Sequence, residues 1–505
     1  MESSTRSPRD GAPELVHEVK HEVTHASADQ LVHEWTNELA NEPAHHGVRR
    51  AALDHDDGPG EPARAHTQPT AQTAPTASSR TAHAKAIAAI TLGNGLEFFD
   101  FTIYSFFATI IGKLFFPVHG QLAQLMLAAG TFGVGFIMRP VGGVVLGAYA
   151  DRAGRKAAMS LTLWLMTLGS AIIAFVPGYA AIGLAAPLLV ILARLIQGFA
   201  LGGEIGASTS LLMEYGSDRT RGFYGSWQFV SQGLNTVCGS LLGVALAACL
   251  STASLESWGW RVPFVIGMAM GPIGIYIRKH LNETLPTAVG QSATHDALLL
   301  MPAQPVRQIF RGHRGVIVCG VLATIGGTAA NYIVLFYLST YAIRILHLPM
   351  SLALWASWTA AVVTVICAPF AGAWSDRVGR KRMLWVSRVL LIAAIYPAFL
   401  LINARPTVPV LLAVVAVLAV LVAFTAVPNI VMLPEMFPRE IRATGMSIVY
   451  CLGVSIFGGF AQFFATWLIQ LTGNTLAPAW YVIGCGLVSL LPLPFMRETA
   501  GRPIG

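Results

Sequence analysis

Runs of about 20 apolar residues, nearly free of charge, follow one another from Ala86 to Met496, and a bilayer hydrocarbon core roughly 30 Å thick needs a helix of about that length. Twelve such runs are legible: Ala86 to Ile111, Leu122 to Tyr149, Ala157 to Val176, Ala185 to Met213, Phe223 to Leu250, Val262 to Ile277, Gly315 to Ile343, Ser351 to Ala373, Met383 to Ile402, Val408 to Leu433, Gly445 to Leu471 and Ala479 to Met496. Charged residues are 12% of the 505 positions and apolar ones 54%, whereas soluble domains carry roughly 25% charged residues. Backbone polar groups in lipid must be satisfied within each segment, and these runs are too long and too uniformly apolar for barrel strands. The expected fold is therefore an all-α membrane protein of twelve transmembrane helices.

The net charge of +7 does not point to nucleic acid, because the basic residues sit in short loops. With both termini placed inside, the inside loops and C-terminal tail hold 18 Lys and Arg and the outside loops and their edges hold 4. That asymmetry predicts cytoplasmic termini under the positive-inside rule. Residues 1–85 differ in kind: they are polar, contain nine of the fourteen histidines, and lack the apolar core of a signal peptide. His17, His21 and His25 would stack on one helix face, as would Leu31, Trp35 and Leu39. No carboxylate or cysteine set completes a metal site there, so a solvated, largely disordered cytoplasmic tail is the expectation. The six cysteines all lie in apolar runs without CxxC spacing, which fits packing rather than metal or disulfide.

Gly147-Ala-Tyr-Ala-Asp-Arg-Ala-Gly-Arg-Lys156 recurs as Gly372-Ala-Trp-Ser-Asp-Arg-Val-Gly-Arg-Lys381, an offset of 225 residues. A second pair, Glu214-x6-Arg221 and Glu435-x6-Arg442, is displaced by 221 residues. Two pairs at nearly one offset predict two pseudo-symmetric six-helix bundles, 86–278 and 315–496, joined by a cytoplasmic loop 279–314 and followed by a tail 497–505. Such duplication suits two bundles that rock about a site at their interface.

The repeated G-x3-D-R-x-G-R-K loop resembles the cytoplasmic signature of the major facilitator superfamily. Gly93-Asn94-Gly95-Leu96-Glu97-Phe98-Phe99-Asp100-Phe101, Trp258-Gly-Trp-Arg-Val-Pro-Phe264 and Arg278-x2-Leu-x-Glu283-Thr284 resemble its metabolite:proton symporter family. The resemblance covers about residues 86–498 and not the tail. Gly225-Ser-Trp-Gln228-x2-Ser231-Gln232 and Leu471-Thr-Gly-Asn-x2-Ala-Pro478 look most like citrate and tricarballylate symporters. The C-terminal coiled coil frequent in osmoprotectant members has no counterpart in heptads here. The resemblance implies alternating access and, for the loop motifs, a network holding the outward-facing state. In that network Asp151 would accept hydrogen bonds at a neighbouring helix N-terminus and Arg155 would bridge to Glu214, with Arg152 beside them. Asp376, Arg377, Arg380 and Glu435 would act likewise in the second half.

A charge at mid-bilayer costs about 2.5 to 3.5 kcal/mol even on the lenient scale, so each one needs a reason. Glu97 and Asp100 lie three apart on one helix face. Two nearby acids oppose each other's ionisation, so one of them could exchange a proton near neutral pH; the alternative is a fixed pair that never titrates. Arg139 is ten residues from Tyr149, about 15 Å along a helix, and pairs with a carboxylate of either a substrate or the first span. Arg194-Leu-Ile-Gln197-Gly198, followed by Glu204, resembles the superfamily's R-x2-Q-G motif, which is linked there to proton coupling. Arg139, Arg194, Gln197, Gln228, Gln232, Asn331 and Tyr332 are the candidate substrate contacts, and Glu97, Asp100, Arg194 and Glu204 the candidate coupling groups. Tyr337 and Asn429 are further polar candidates, and Arg388, about a turn inside its span, is expected to snorkel to the inner interface.

The leading expectation is proton symport of a di- or tricarboxylate across a bacterial inner membrane by a monomer without cofactor, metal or nucleic acid. The alternatives are a zwitterion symporter for proline or betaine, and a non-transporting sensor whose output is the histidine-rich tail. An enzyme is not expected, for GxSxG, HExxH and intramembrane histidine clusters are lacking. Deleting residues 1–80 separates transporter from sensor: uptake into cells should stay near the full-length level, and its abolition would favour the sensor.

Overall fold

The computed structural model describes residues 77–153, 155–269, 271–272, 312–438 and 441–502. The expectations for the tail before residue 77 and for the central loop lie outside the described residues, as do those for the side chains of Glu97, Asp151, Arg152 and Arg155.

All described regular structure is helical. The first span is α1 (Ala77–Phe106) and α2 (Ala108–Phe115), which meet at a bend of 65°. The second is α3 (Gln121–Ile137) and α4 (Arg139–Ala153), the third α5 (Arg155–Phe175), and the fourth α6 (Ala185–Ala200) with α7 (Glu204–Glu214) across a 3-10 turn. The fifth comprises α8 (Arg221–Gly225) and α9 (Trp227–Cys249), and the sixth is helical at 262–269 and 271–272 before it leaves the described residues. In the second half, α10 (Arg314–Tyr332) runs through a π-helical turn, Ile333–Tyr337, into α11 (Leu338–Arg344). Four further spans follow: α12 (Met350–Val378), α13 (Arg380–Ala404), α14 (Val408–Glu435) and the pair α15 (Arg442–Phe457) and α16 (Ala461–Thr472). The last is α17 (Ala477–Leu490). Each of the twelve sequence runs thus contains helix among its described residues, with breaks at Phe107, Met138, Ser226 and 458–460, and the last run is helical only to Leu490 rather than Met496.

Helices form because lipid offers the backbone no other partner, and their outward faces stay apolar. Phe175, Leu188, Phe370 and Val386 are large hydrophobic side chains left exposed on the spans, which is where acyl chains would cover them. Inside, small residues let backbones approach. Gly198 of α6 packs on Gly135 of α3 so closely that a Cβ would overlap the Gly135 carbonyl, and Gly142 of α4 meets the Phe199 carbonyl in the same way.

The halves meet along two seams. In one, α9 packs on α12 and α8 on α12 and α14. In the other, α3 and α4 pack on α15 and α16, and α7 on α15. Phe132 and Phe136 of α3 contact Tyr332 with ring centroids 6.2 and 5.5 Å apart, and Phe106 meets Phe336 at 6.2 Å, so aromatic rings fill the centre.

Replacing Gly198 by Ala should lower the yield of monodisperse protein in detergent and cost about 1 to 3 kcal/mol by overpacking. Gly484→Ala, where a Cβ meets nothing within 4 Å, should leave the melting temperature unchanged.

Candidate functional site

The buried charges of the first half gather where α1, α5 and α6 converge. Asp100 is 4% exposed. Its Oδ2 accepts from Ser170 Oγ and, at 3.3 Å, from Gln197 Nε2, which also donates to Ser170 Oγ at 3.2 Å. Its Oδ1 has no hydrogen-bond partner and lies against Gly267 of the sixth span, where a side chain would collide with it. Arg194 donates to Gln197 Oε1 at 2.9 Å and to the Asp100 carbonyl at 3.4 Å, and its guanidinium lies 3.7 Å from the Tyr104 ring centroid. Asp100, Ser170, Arg194 and Gln197 therefore form one network in which the i, i+3 spacing on α6 puts arginine and glutamine on the same face.

Arg139 starts α4, just after the break at Met138, and is 1% exposed. Its guanidinium lies over three rings, with centroids at 3.8 Å (Phe136), 5.0 Å (Phe101) and 5.8 Å (Phe98). Its nitrogens have no partner at strict hydrogen-bond geometry, but they lie close to the Tyr332 hydroxyl of the other half, and its charge also reaches that of Tyr450. Cation–π contacts of this desolvated kind are worth about 2 kcal/mol. They hold the cation without neutralising it.

Between the halves lies a small cavity with room for about one water. Its walls are Phe229 of α9, Thr324, Gly327, Thr328 and Asn331 of α10, Ala426, Asn429 and Ile430 of α14, and Tyr450 of α15. Asn429 Nδ2 donates to Thr324 Oγ1 at 3.3 Å, while Oδ1 of Asn331 and Oδ1 of Asn429 are buried without partners.

Among the expected substrate contacts, then, Asn331 lines this cavity. Arg194 and Gln197 face Asp100 inside the first bundle. Gln228 is tied to Ser208 Oγ (3.1 Å) and Asn94 Oδ1 (3.3 Å), Tyr332 packs in the aromatic centre, and Gln232 lies near Tyr450 with its Nε2 unpartnered. Glu204 is half-buried in the first turn of α7. Arg388 corrects its expectation: rather than snorkelling outward, it is 1% exposed and donates from Nη1 to the Ser489 carbonyl at 3.1 Å. The helix begins at Arg380, eight residues earlier, so the side chain starts about 12 Å inside and cannot reach the interface cheaply.

Three of the four residues expected in the second-half loop network, Asp376, Arg380 and Glu435, come together. Asp376 accepts from Gly222 N (2.8 Å) and Phe223 N (3.0 Å) at the start of α8, and pairs with Arg380 Nη2 at 2.6 Å. Arg380 also meets Glu435 at 3.3 Å, and Glu435 lies 3.7 Å from Arg221 of the first half. Glu498 accepts from the backbone of Arg380 (2.7 Å) and Lys381 (3.1 Å), satisfying the orphan N–H groups at that helix start. Arg377 and Glu214 are exposed. Ser170, Tyr104, Glu498, Tyr450 and Gly327 are absent from the sequence expectations, because only the fold brings them to these sites. At the opposite face Arg344 donates to Gln121 Oε1 (2.8 Å) and the Thr109 carbonyl (3.2 Å), again across the halves. The halves are thus in contact at both faces.

Family models match at both halves: "Sugar (and other) transporter" over residues 85–286 and "Major Facilitator Superfamily" over 355–503. The citrate-proton symporter of Klebsiella pneumoniae is 35% identical over 409 residues, covering 80% of this chain and 90% of that protein. This chain belongs to the major facilitator superfamily. It is a metabolite:proton symporter of that superfamily and not an enzyme. The alpha-ketoglutarate permease of Escherichia coli K12 is 33% identical over 80% of this chain and 92% of its own length, and the proline/betaine transporter of the same strain is 32% identical over 83% and 84%. Among solved structures, the partially occluded inward-open xylose transporter of Escherichia coli superposes with a TM-score of 0.68 at 17% identity, covering 84% of this chain and all of that one. That likeness establishes the fold of the symporter alone.

Substituting Glu435 by Ala leaves Arg380 and Arg221 without their shared carboxylate. Removing one member of a buried pair costs about 3 to 5 kcal/mol. The variant should melt at a lower temperature, and spin labels flanking α8 and α12 at that face should move apart.

Proposed function

We propose that this symporter carries a small organic anion, a di- or tricarboxylate such as citrate, tricarballylate or 2-oxoglutarate, together with protons. It would work as a monomer in a bacterial inner membrane by alternating access, with both termini cytoplasmic. The observation that carries the anion reading is the imbalance of buried charge in the spans away from the loop network at their ends: three guanidiniums, Arg139, Arg194 and Arg388, against the carboxylate of Asp100 among the described residues. Glu204, only half-buried, offsets part of this. A negatively charged solute supplies what the interior lacks, whereas a zwitterion brings no net charge.

Coupling follows from Asp100. In the charged form its Oδ2 holds Ser170 and Gln197, and through Gln197 it holds Arg194. A proton on Oδ1, which has room but no partner, removes the charge that attracts Arg194. The guanidinium is then released toward an incoming anion. Binding of proton and anion would each favour the other, which is the thermodynamic content of symport. The relatives divide between citrate, alpha-ketoglutarate and proline or betaine in their names, so the charge balance rather than kinship supports the anion. The paired loop contacts at Asp376 and Glu435 are the latch that opens when the carrier turns inward.

Purified protein in liposomes should accumulate at least one radiolabelled carboxylate when the outside is made more acidic than the inside, and a protonophore should abolish the accumulation. Uptake of none of the three acids, with competition by proline or betaine instead, would replace the anion by a zwitterion. Asp100→Asn should lose gradient-driven accumulation and its dependence on outside pH, yet keep exchange of labelled for unlabelled substrate. An Asp100→Asn carrier that still concentrates its substrate would remove Asp100 from coupling.

A further inference from the structure

Arg388 has no role in the mechanism so far, yet an arginine on a membrane span without a carboxylate needs a reason. It belongs to α13, which packs against α14 and α17. Of its nitrogens, Nη1 has the Ser489 carbonyl, while Nε and Nη2 are buried without partners. No described acidic group acts on it. One carbonyl does not balance a buried cation, and the desolvation of such a group costs several kcal/mol.

The free end of this guanidinium points at a gap in the cavity wall. A Cβ placed on Gly327 would stand 3.4 Å from Arg388 Nη2 and 3.7 Å from Thr425 Cγ2, so the arginine lies directly behind that glycine. Gly327 itself lines the cavity. The neighbouring Gly326 is needed for packing, since its Cβ would collide with Ser489 and approach the Cys485 carbonyl at 2.9 Å. Gly327 has no such duty: its added atom would find ordinary contact distances only. Glycine inside a helix is destabilising by roughly 0.5 to 1 kcal/mol relative to alanine, and here the window is the methyl-sized space that the missing side chain leaves between Gly327, Arg388 Nη2 and Thr425. Around the window, Thr425 Oγ1, Asn331 Oδ1 and Asn429 Oδ1 are also buried without partners. Several unsatisfied polar groups converging on one small cavity mark a ligand site rather than a set of unrelated defects.

We propose that Arg388, reaching through the window at Gly327, binds one carboxylate of the transported anion, with the unpartnered Thr425 hydroxyl free to donate beside it. The inference rests on the anion reading and sharpens it. The second bundle holds its own cation for the substrate, distinct from the Arg139 and Arg194 cations of the first. A substrate with two or more carboxylates can then bridge the bundles, which a monocarboxylate cannot do, and bridging is what draws them together.

The test uses the full-length protein in liposomes and whichever of citrate, tricarballylate and 2-oxoglutarate the wild type accumulates. Arg388→Gln should raise KM by at least about tenfold, the loss of one charge-assisted hydrogen bond, and should erase the rise in melting temperature that the acid gives the wild type. Arg388→Lys keeps the charge without the fork and should fall between. Gly327→Ala, which meets no close atom, should fold as the wild type does and still raise KM several-fold by narrowing the window. If Arg388→Gln fails to fold, Gly327→Ala decides. An unchanged KM in Gly327→Ala and in every folded Arg388 variant overturns the proposal while leaving the anion reading intact. A lower melting temperature of Arg388→Gln without ligand, at wild-type KM, would make the arginine a clamp on Ser489 only. A wild type that accumulates none of the acids defeats the anion reading and this proposal together.

Discussion

Charge buried in a medium without water is the constraint around which this molecule is arranged. Arg139 and Arg194 are enclosed by aromatic rings, Phe136 and Tyr104 being nearest at 3.8 and 3.7 Å. A π face attracts a cation yet carries no net charge. The rings thereby help the protein hold buried guanidiniums, and Arg139 has no ion pair among the described residues. The same rings make the contact between halves, through Phe132, Phe136 and Tyr332, so the groups that stabilise charge also seat the two bundles on each other. Opening that contact changes the surroundings of Arg139 directly, and this links conformation to electrostatics without any intermediary.

The fold was legible because lipid reduces the choices of the chain. A run of twenty apolar residues can only be a helix there, and the duplicated loop at half-chain spacing left little freedom in how the helices are grouped. Breaks within spans were less visible. Nothing about Phe107 announces a 65° bend, and the π-helical turn at Ile333–Tyr337 falls in a sequence that reads as uninterrupted helix.

Site residues divide by the kind of signal they give. Asp100 and Arg194 stood out because an ion in an apolar run has no bland explanation. Ser170 did not: hydroxyls commonly return their hydrogen bond to the preceding turn, as Ser170 also does with the Met166 carbonyl at 2.9 Å, and sequence carries no trace of a second partner on another helix. The expectation for Arg388 rested on a span beginning at Met383, whereas α13 begins at Arg380 and points the side chain at α10 and α17. Gln228 looked like a substrate ligand from its place in a motif, yet its amide is taken up by Asn94 and Ser208. Spacing along one helix gives a face; which neighbour that face meets is a property of the assembled bundle.

Residues 498–502 are woven into the gate. Glu498 seats the start of α13, the Thr499 hydroxyl donates to Glu435 at 2.5 Å, and the Arg502 carbonyl accepts from Arg221 of the other half. Residues 498–502 therefore tie the start of α13 and Glu435 to Arg221 of the other half. A fluorescent protein or affinity handle spliced directly after Arg502 would load that tie and report on a carrier whose turnover it had itself altered, whereas the same handle on a long flexible spacer would leave the motion free.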